Sequence, residues 1–201
     1  MCSSDLDGGD ALMGTLFQAL EPETGFQHAL MKKAGYDVVA MGNHDFDFGP
    51  ESFSQIVRKA RQRGDIPVLL LGNGITDPDD PADDSFEGLF NDGLIKYYTV
   101  REINGIRVGI FSLIGKDADE SAPYAPPVTF GKIIPAAKKL VRDLKKEECD
   151  VIICLSHSGI NKDEKGGWTG EDVKLARKVK GIDLIITGHT HVLLNEPLIV
   201  N

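Results

Sequence analysis

Tyr36-Asp-Val-Val-Ala-Met41 runs directly into Gly42-Asn43-His44-Asp45-Phe46-Asp47-Phe48-Gly49, and Pro50 opens an amphipathic stretch that continues to Arg63. The apolar run is short and rich in valine, which predicts a buried strand closed by Gly42. Pro50 suits the first helical position, where a missing N–H costs nothing. Strand, polar turn and helix in succession are the repeating unit of an α/β fold, whose ligands gather at the carboxyl ends of the strands. This turn carries an asparagine, a histidine and two aspartates. It therefore indicates the fold class and also where chemistry should be sought.

The same unit recurs along the chain. Ile66–Leu71, closed by Gly72, reads as a second strand, and Asp150–Leu155 and Asp183–Thr187 as two more. Pro197–Val200 reads as the start of a further one. Thr99–Ile103 and Ile106–Ile114 flank Asn104-Gly105, a dipeptide that tolerates positive φ and predicts a tight hairpin. Helical patterns cover Gly25–Lys33, Pro50–Arg63, Ile134–Glu147 and Glu171–Val179. In the third of these, Ala137, Leu140, Val141 and Leu144 share one face. Strands alternating with helices, plus one antiparallel hairpin, predict an α/β fold with mixed sheets. Thr76–Asp84 holds five aspartates and two prolines. It reads as a solvated acidic loop, since the spaced ligands and closing glutamate of a calcium loop are missing. Ser121–Pro127 reads as a second loop, and no internal repeat is present.

Composition narrows the function classes. The 201 residues carry a net charge of −9, with 41% hydrophobic and 26% charged residues. That is the balance of a soluble folded domain. An acidic chain without a basic stripe is not built for nucleic acid. No apolar run approaches the roughly 20 residues of a membrane-spanning helix. Three cysteines, Cys2, Cys149 and Cys154, make no disulfide framework, and the latter two flank an apolar strand as buried thiols.

Four of the five histidines follow strands, in Gly42–Gly49, in Leu155-Ser156-His157-Ser158-Gly159 and in Thr187-Gly188-His189-Thr190-His191. A further turn, Asp7-Gly8-Gly9-Asp10, adds carboxylates. These turns together look like one convergent site. Its mixed nitrogen and oxygen donors suit zinc, manganese or iron rather than a structural zinc. Two such ions about 3.5–4 Å apart clamp an in-line displacement at phosphorus and need a bridging carboxylate, for which Asp10 is the candidate. Each residue alone has a plainer reading. Asp10 can be a turn or cap residue, Asn43 a turn former and His157 a strand-end histidine. His189 and His191 are alternate residues and would point the same way in an extended turn. His28 stands alone in a helical segment and reads as structural or surface.

The motifs Gly-Asn-His-Asp-Phe-Asp, Ser-His and Gly-His-x-His, in this order, resemble those of the calcineurin-like metallophosphoesterases, and within them the 5′-nucleotidase family. The resemblance runs from about Leu6 to the last residue. It implies a four-layer α/β/β/α sandwich of two mixed β-sheets, incomplete here, with a dinuclear centre of two divalent metal ions (zinc, manganese or iron). It implies Asp10 as bridging ligand, Asn43, His157 and His189 on the second metal, and His191 on the first. His44 matches the catalytic histidine and Asp47 the carboxylate that orients it. Asp45 reads as a structural loop residue.

The chain also departs from that pattern. The family opens with an Asp-x-His turn, yet only nine residues precede Asp10 and none is histidine. Met1–Leu6 reads as a non-native scar, with the catalytic domain occupying residues 7–201 and lacking both the first strand and a C-terminal nucleotide-binding domain. Such a sandwich would expose a sheet edge and associate readily. The implied reaction is hydrolysis of a nucleotide phosphomonoester by a hydroxide bridging the metals. A second reading is a catalytically incompetent fragment that binds one metal or a phosphate ligand. Related hydrolase activities stay open: 2′,3′-cyclic-nucleotide phosphodiesterase, nucleotide-sugar diphosphatase and thiosulfohydrolase. The resemblance implies a periplasmic, cell-surface or secreted location, and no signal peptide is legible.

Overall fold

The computed structural model describes residues 7–200. The expected scar at residues 1–6, with Cys2, lies outside the described residues. The strands are β1 (Val38–Ala40), β2 (Val68–Leu70), β3 (Gly74–Ile75), β4 (Ile95–Lys96), β5 (Tyr98–Ile103), β6 (Ile106–Ile114), β7 (Thr129–Phe130), β8 (Val151–His157), β9 (Asn161–Lys162), β10 (Trp168–Thr169) and β11 (Leu184–Thr187). The α-helices are α1 (Glu21–Thr24), α2 (Phe26–Ala34), α3 (Gly49–Arg63), α4 (Asp84–Asn91), α5 (Lys116–Glu120), α6 (Ile133–Lys146) and α7 (Glu171–Lys178). Short 3-10 turns cover Leu16–Leu20, Asn43–Phe46 and Pro81–Asp83.

Side-chain alternation along the strands sorts these elements into layers. Val38, Ala40, Leu70, Val108, Ile110 and Leu155 form a core between two sheets. Their neighbours point the other way. Val39, Met41, Leu69 and Leu71 pack outward with Phe53, Ile56 and Val57 of α3 and Phe86 and Leu89 of α4. Phe111, Leu113, Ile152 and Cys154 pack outward with Ala137, Leu140, Val141 and Leu144 of α6 and Leu175 of α7. The order is helix, sheet, sheet, helix. Apolar runs without polar alternation are therefore what β1, β2, β6 and β8 require, because both faces of these strands are largely buried.

One sheet has the order β1-β2-β4 and is parallel throughout. Beyond β1, Asp7 bridges Val39 in parallel. The other has the order β11-β8-β6-β5, with β5 and β6 as the antiparallel hairpin. Its turn at Asn104-Gly105 has φ of 53° and 81°, as the dipeptide predicted. Two small antiparallel pairs, β3 with β7 and β9 with β10, complete the described strands.

Several expectations need correction. Pro197–Val200 forms no strand. Leu194, Leu198 and Val200 instead line an apolar groove with Leu184 and Ile186 of β11, so their burial comes from side chains without ladder hydrogen bonds. The acidic stretch ends in α4, because Phe86 and Leu89 recur at helical spacing and are fully buried. Cys154 is buried, but Cys149 is only partly so. Of the two readings of His28 the structural one holds, since it is buried on α2 and set edge-on to Phe53.

Candidate metal centre

Three strand ends meet here, and glycine lets them approach. A Cβ on Gly42 would lie 2.3 Å from Asp10 Oδ1 and 2.8 Å from His157 Cε1. Gly9 has φ of 102°, and a Cβ there would lie 2.7 Å from His157 Nδ1. The turn after β1 and the turn at Asp7–Asp10 are thus pressed against the end of β8. Asp10, His189 and His191 all adopt positive φ, at 67°, 75° and 53°. Strained backbone of this kind clusters at functional sites.

The polar atoms that result face one another. Asp10 Oδ2 lies 3.1 Å from His157 Nε2. Asn43 Oδ1 lies 3.0 Å from the same nitrogen and 3.2 Å from His189 Nδ1. The outer atom of each side chain fixes its inner one. His157 Nδ1 lies 2.7 Å from the Gly8 carbonyl, so Nδ1 carries the hydrogen and Nε2 presents a lone pair. His189 Nε2 lies 3.0 Å from Asp117 Oδ2, which likewise leaves a lone pair on Nδ1. Asn43 Nδ2 donates to the Ser121 carbonyl at 3.3 Å, turning Oδ1 inward. With both imidazoles neutral, four acceptor atoms converge. They are reconciled by a proton on His157 or by a cation held among them.

The electrostatics agree with that choice. Burial tends to raise the Asp10 carboxyl, but the hydrogen bond and charge of His157 and the His44 N–H hold it below its ordinary value. Burial tends to lower the His157 imidazole, yet Asp10 holds it above its ordinary value. The Asp10 carboxylate thus favours a positive partner, and the His157 imidazole favours a negative one.

The second feature is a dyad. His44 and Asp47 are three residues apart on the 3-10 turn Asn43–Phe46 and its cap, where that spacing brings side chains onto one face. His44 Nδ1 lies 2.8 Å from Asp47 Oδ2. The Asp47 hydrogen bond holds the His44 imidazole above its ordinary value. The His44 backbone N–H donates to Asp10 Oδ1 at 2.9 Å, which ties the dyad to the cluster. Asp45, fully buried between them, accepts the Gly42 N–H at 2.7 Å, and burial pushes its carboxyl up to about 7.

The structure therefore brings together Asp10, Asn43, His157 and His189, with His44 and Asp47 alongside. No hydrogen bond or ion pair among the described residues joins His191 to them. With positive φ at both residues, the extended turn expected for His189-x-His191 is absent, and His191 is exposed. Nor do three or more His, Cys, Asp or Glu side chains among the described residues form a metal-holding group. The convergence depends on the amide oxygen of Asn43 as its central atom. The donor set fits one divalent ion of the zinc, manganese or iron kind. Asp117 was missed in the sequence. It too follows a strand end, in Ile114-Gly115-Lys116-Asp117, but without a histidine to mark it.

A family model of the calcineurin-like phosphoesterases matches residues 5–193. The chain belongs to the calcineurin-like phosphoesterase family. Such phosphoesterases typically use divalent metals. The trifunctional nucleotide phosphoesterase YfkN of Bacillus subtilis is 29% identical over 217 residues, covering 98% of this chain and 14% of that protein. The NAD 5′-nucleotidase of Haemophilus influenzae is 30% identical over 190 residues, covering 94% of this chain and 27% of that protein. The solved 5′-nucleotidase precursor of Thermus thermophilus superposes with a TM-score of 0.73 at 29% identity, over 95% of this chain and 33% of that one. The chain thus spans between about one seventh and one third of the length of these relatives. No helix of this phosphoesterase among the described residues is long and apolar enough to cross a membrane.

Proposed function

We propose that this domain supplies the catalytic site of a metal-dependent phosphoesterase of 5′-nucleotidase type, acting on nucleotide phosphomonoesters. One observation carries the reading: four lone-pair donors, from the ends of β1, β8 and β11 and from the Asp7–Asp10 turn, converge beside a His–Asp dyad. The relatives named as nucleotide phosphoesterases support the substrate class.

Asp10, Asn43, His157 and His189 would hold one divalent ion. A second would draw on Asp10 and His191. When bound, such ions neutralise phosphate oxygens and make water acidic enough to ionise near neutral pH. The chain's own residues do the rest. Asp47 fixes the hydrogen on His44 Nδ1 and favours the imidazolium. His44 can then offer its Nε2 hydrogen to the oxygen on which charge develops as the ester bond breaks. Gly8 and Asp117 hold the tautomers of His157 and His189, which keeps their inner nitrogens free to ligate.

A second reading is favoured by His191, which is not joined to the cluster. On that reading the chain as given holds one ion and turns over little substrate. Both are tested by reconstituting the chain with Mn²⁺, counting ions per folded chain, and following phosphate release from a nucleoside 5′-monophosphate. Two ions and steady turnover, abolished in His44→Ala, support the enzyme. One ion without turnover supports the second reading, and no bound ion overturns both.

A further inference from the structure

Asp172 lies in the first turn of α7 and is only 3% exposed, yet it does not cap its own helix. Its oxygens face the strands. Oδ1 accepts the Ser156 hydroxyl at 2.6 Å. Oδ2 accepts the Thr187 hydroxyl at 2.6 Å and the Gly159 N–H at 3.1 Å. Ser156 and Thr187 are direct partners on the last rung between β8 and β11. His157 follows the first of them, and Gly188-His189 follows the second. The Asp172 N–H also donates to the Gly159 carbonyl at 3.2 Å, so the turn after His157 is held from both sides. Next to it, the Glu171 carboxylate accepts the Lys116 N–H at 2.7 Å, one residue before Asp117, the partner of His189.

A buried carboxylate is costly unless fully hydrogen-bonded, and here three donors from two strand-end segments satisfy one group. Removing it would leave Ser156, Thr187 and Gly159 with donors facing an empty site. We infer that Asp172 is a positioning residue for the candidate metal centre: it fixes the carboxyl ends of β8 and β11 relative to one another and so sets the approach of the His157 and His189 nitrogens. The inference rests on the metal-binding reading above. It concerns ligand geometry and assigns Asp172 no contact with ion or substrate.

The test measures Mn²⁺ affinity of the folded chain by titration calorimetry, with thermal unfolding of the metal-free chain and amide hydrogen exchange beside it. Asp172→Asn should weaken Mn²⁺ binding about tenfold, the lower end for groups that orient ligands. Thr187→Val, which keeps shape and loses the hydroxyl, should weaken it in the same direction, while Thr187→Ser should restore it. Exchange should quicken at residues 157–159 and 188–190 and not in α3 or α6. Unchanged affinity in a folded Asp172→Asn chain, or equal affinity in Thr187→Val and Thr187→Ser, overturns the inference. If Asp172→Asn does not fold, the Thr187 pair decides. A wild-type chain that binds no Mn²⁺ overturns the metal reading instead. The exchange pattern then decides separately whether Asp172 holds the two strand ends.

Discussion

At the residue scale, His44 and Asn43 sit side by side but should fail differently. His44 is half exposed, and its ring is tied to the protein through Asp47. His44→Ala should leave thermal unfolding unchanged and lower phosphate release by about 10²–10⁴-fold, the usual worth of a positioned acid. Asn43 is buried, with its oxygen between two imidazoles. Asn43→Ala should abolish measurable Mn²⁺ binding, since the central donor is gone, and calorimetry of the two variants separates chemistry from ligation. The sequence showed Asn43, His157 and His189 well because each stands in a turn directly after an apolar run, whereas Asp10 was marked by its glycine-rich turn. It did not show Asp117 or Asp172. Their partners lie 72 and 15 residues away, and an aspartate near a helix start looks like any first-turn acid.

At the scale of single elements, α2 carries an avoidable cost. His28 is fully buried, its Nδ1 has no partner, and burial pushes its imidazole down to about 4 from 6.5. The folded state therefore keeps this ring neutral while the unfolded chain takes up a proton below about pH 6.5. The chain should keep its full stability above that value and lose about 3 kcal/mol as pH falls from 6.5 to 4. His28→Leu should flatten this part of the pH–stability curve and raise the melting temperature, read by urea and thermal denaturation across that range. The inner strands β1, β2, β6 and β8 were legible at this scale because burial on both faces demands unbroken apolar runs. Short elements were less so. α4 was hidden by the aspartates before it, although Phe86 and Leu89 carried its period, and α5 buries only Ala118.

At the scale of the molecule, apolar side chains remain on the surface. Leu16 and Phe17, on the 3-10 turn after Asp10, are 94% and 70% exposed, with Leu20 and Met13 close in sequence. Leu184, Leu193 and Ile199 are exposed along or after β11, an edge strand. Surfaces of this kind associate. The isolated chain should form concentration-dependent oligomers in light scattering, and Leu16→Glu with Phe17→Ser should shift the distribution towards monomer. A variant no more monomeric than the parent would place the contact elsewhere, with the β11 edge next to be changed.

Asn43 and Asp10 extend from the β1 side of the sandwich, whereas His157 and His189 extend from β8 and β11 in the other sheet. An ion shared by these four would be a rivet through the seam between the sheets, and the unfolded chain has no such site to compete for it. Free metal then becomes a thermodynamic handle on the whole fold. A concentration one hundred times the dissociation constant adds about 2.7 kcal/mol to stability. Chelation should remove that amount and lower the melting temperature. It should also loosen the contact between Val38, Ala40 and Leu70 on one side and Ile110 and Leu155 on the other before either sheet comes apart.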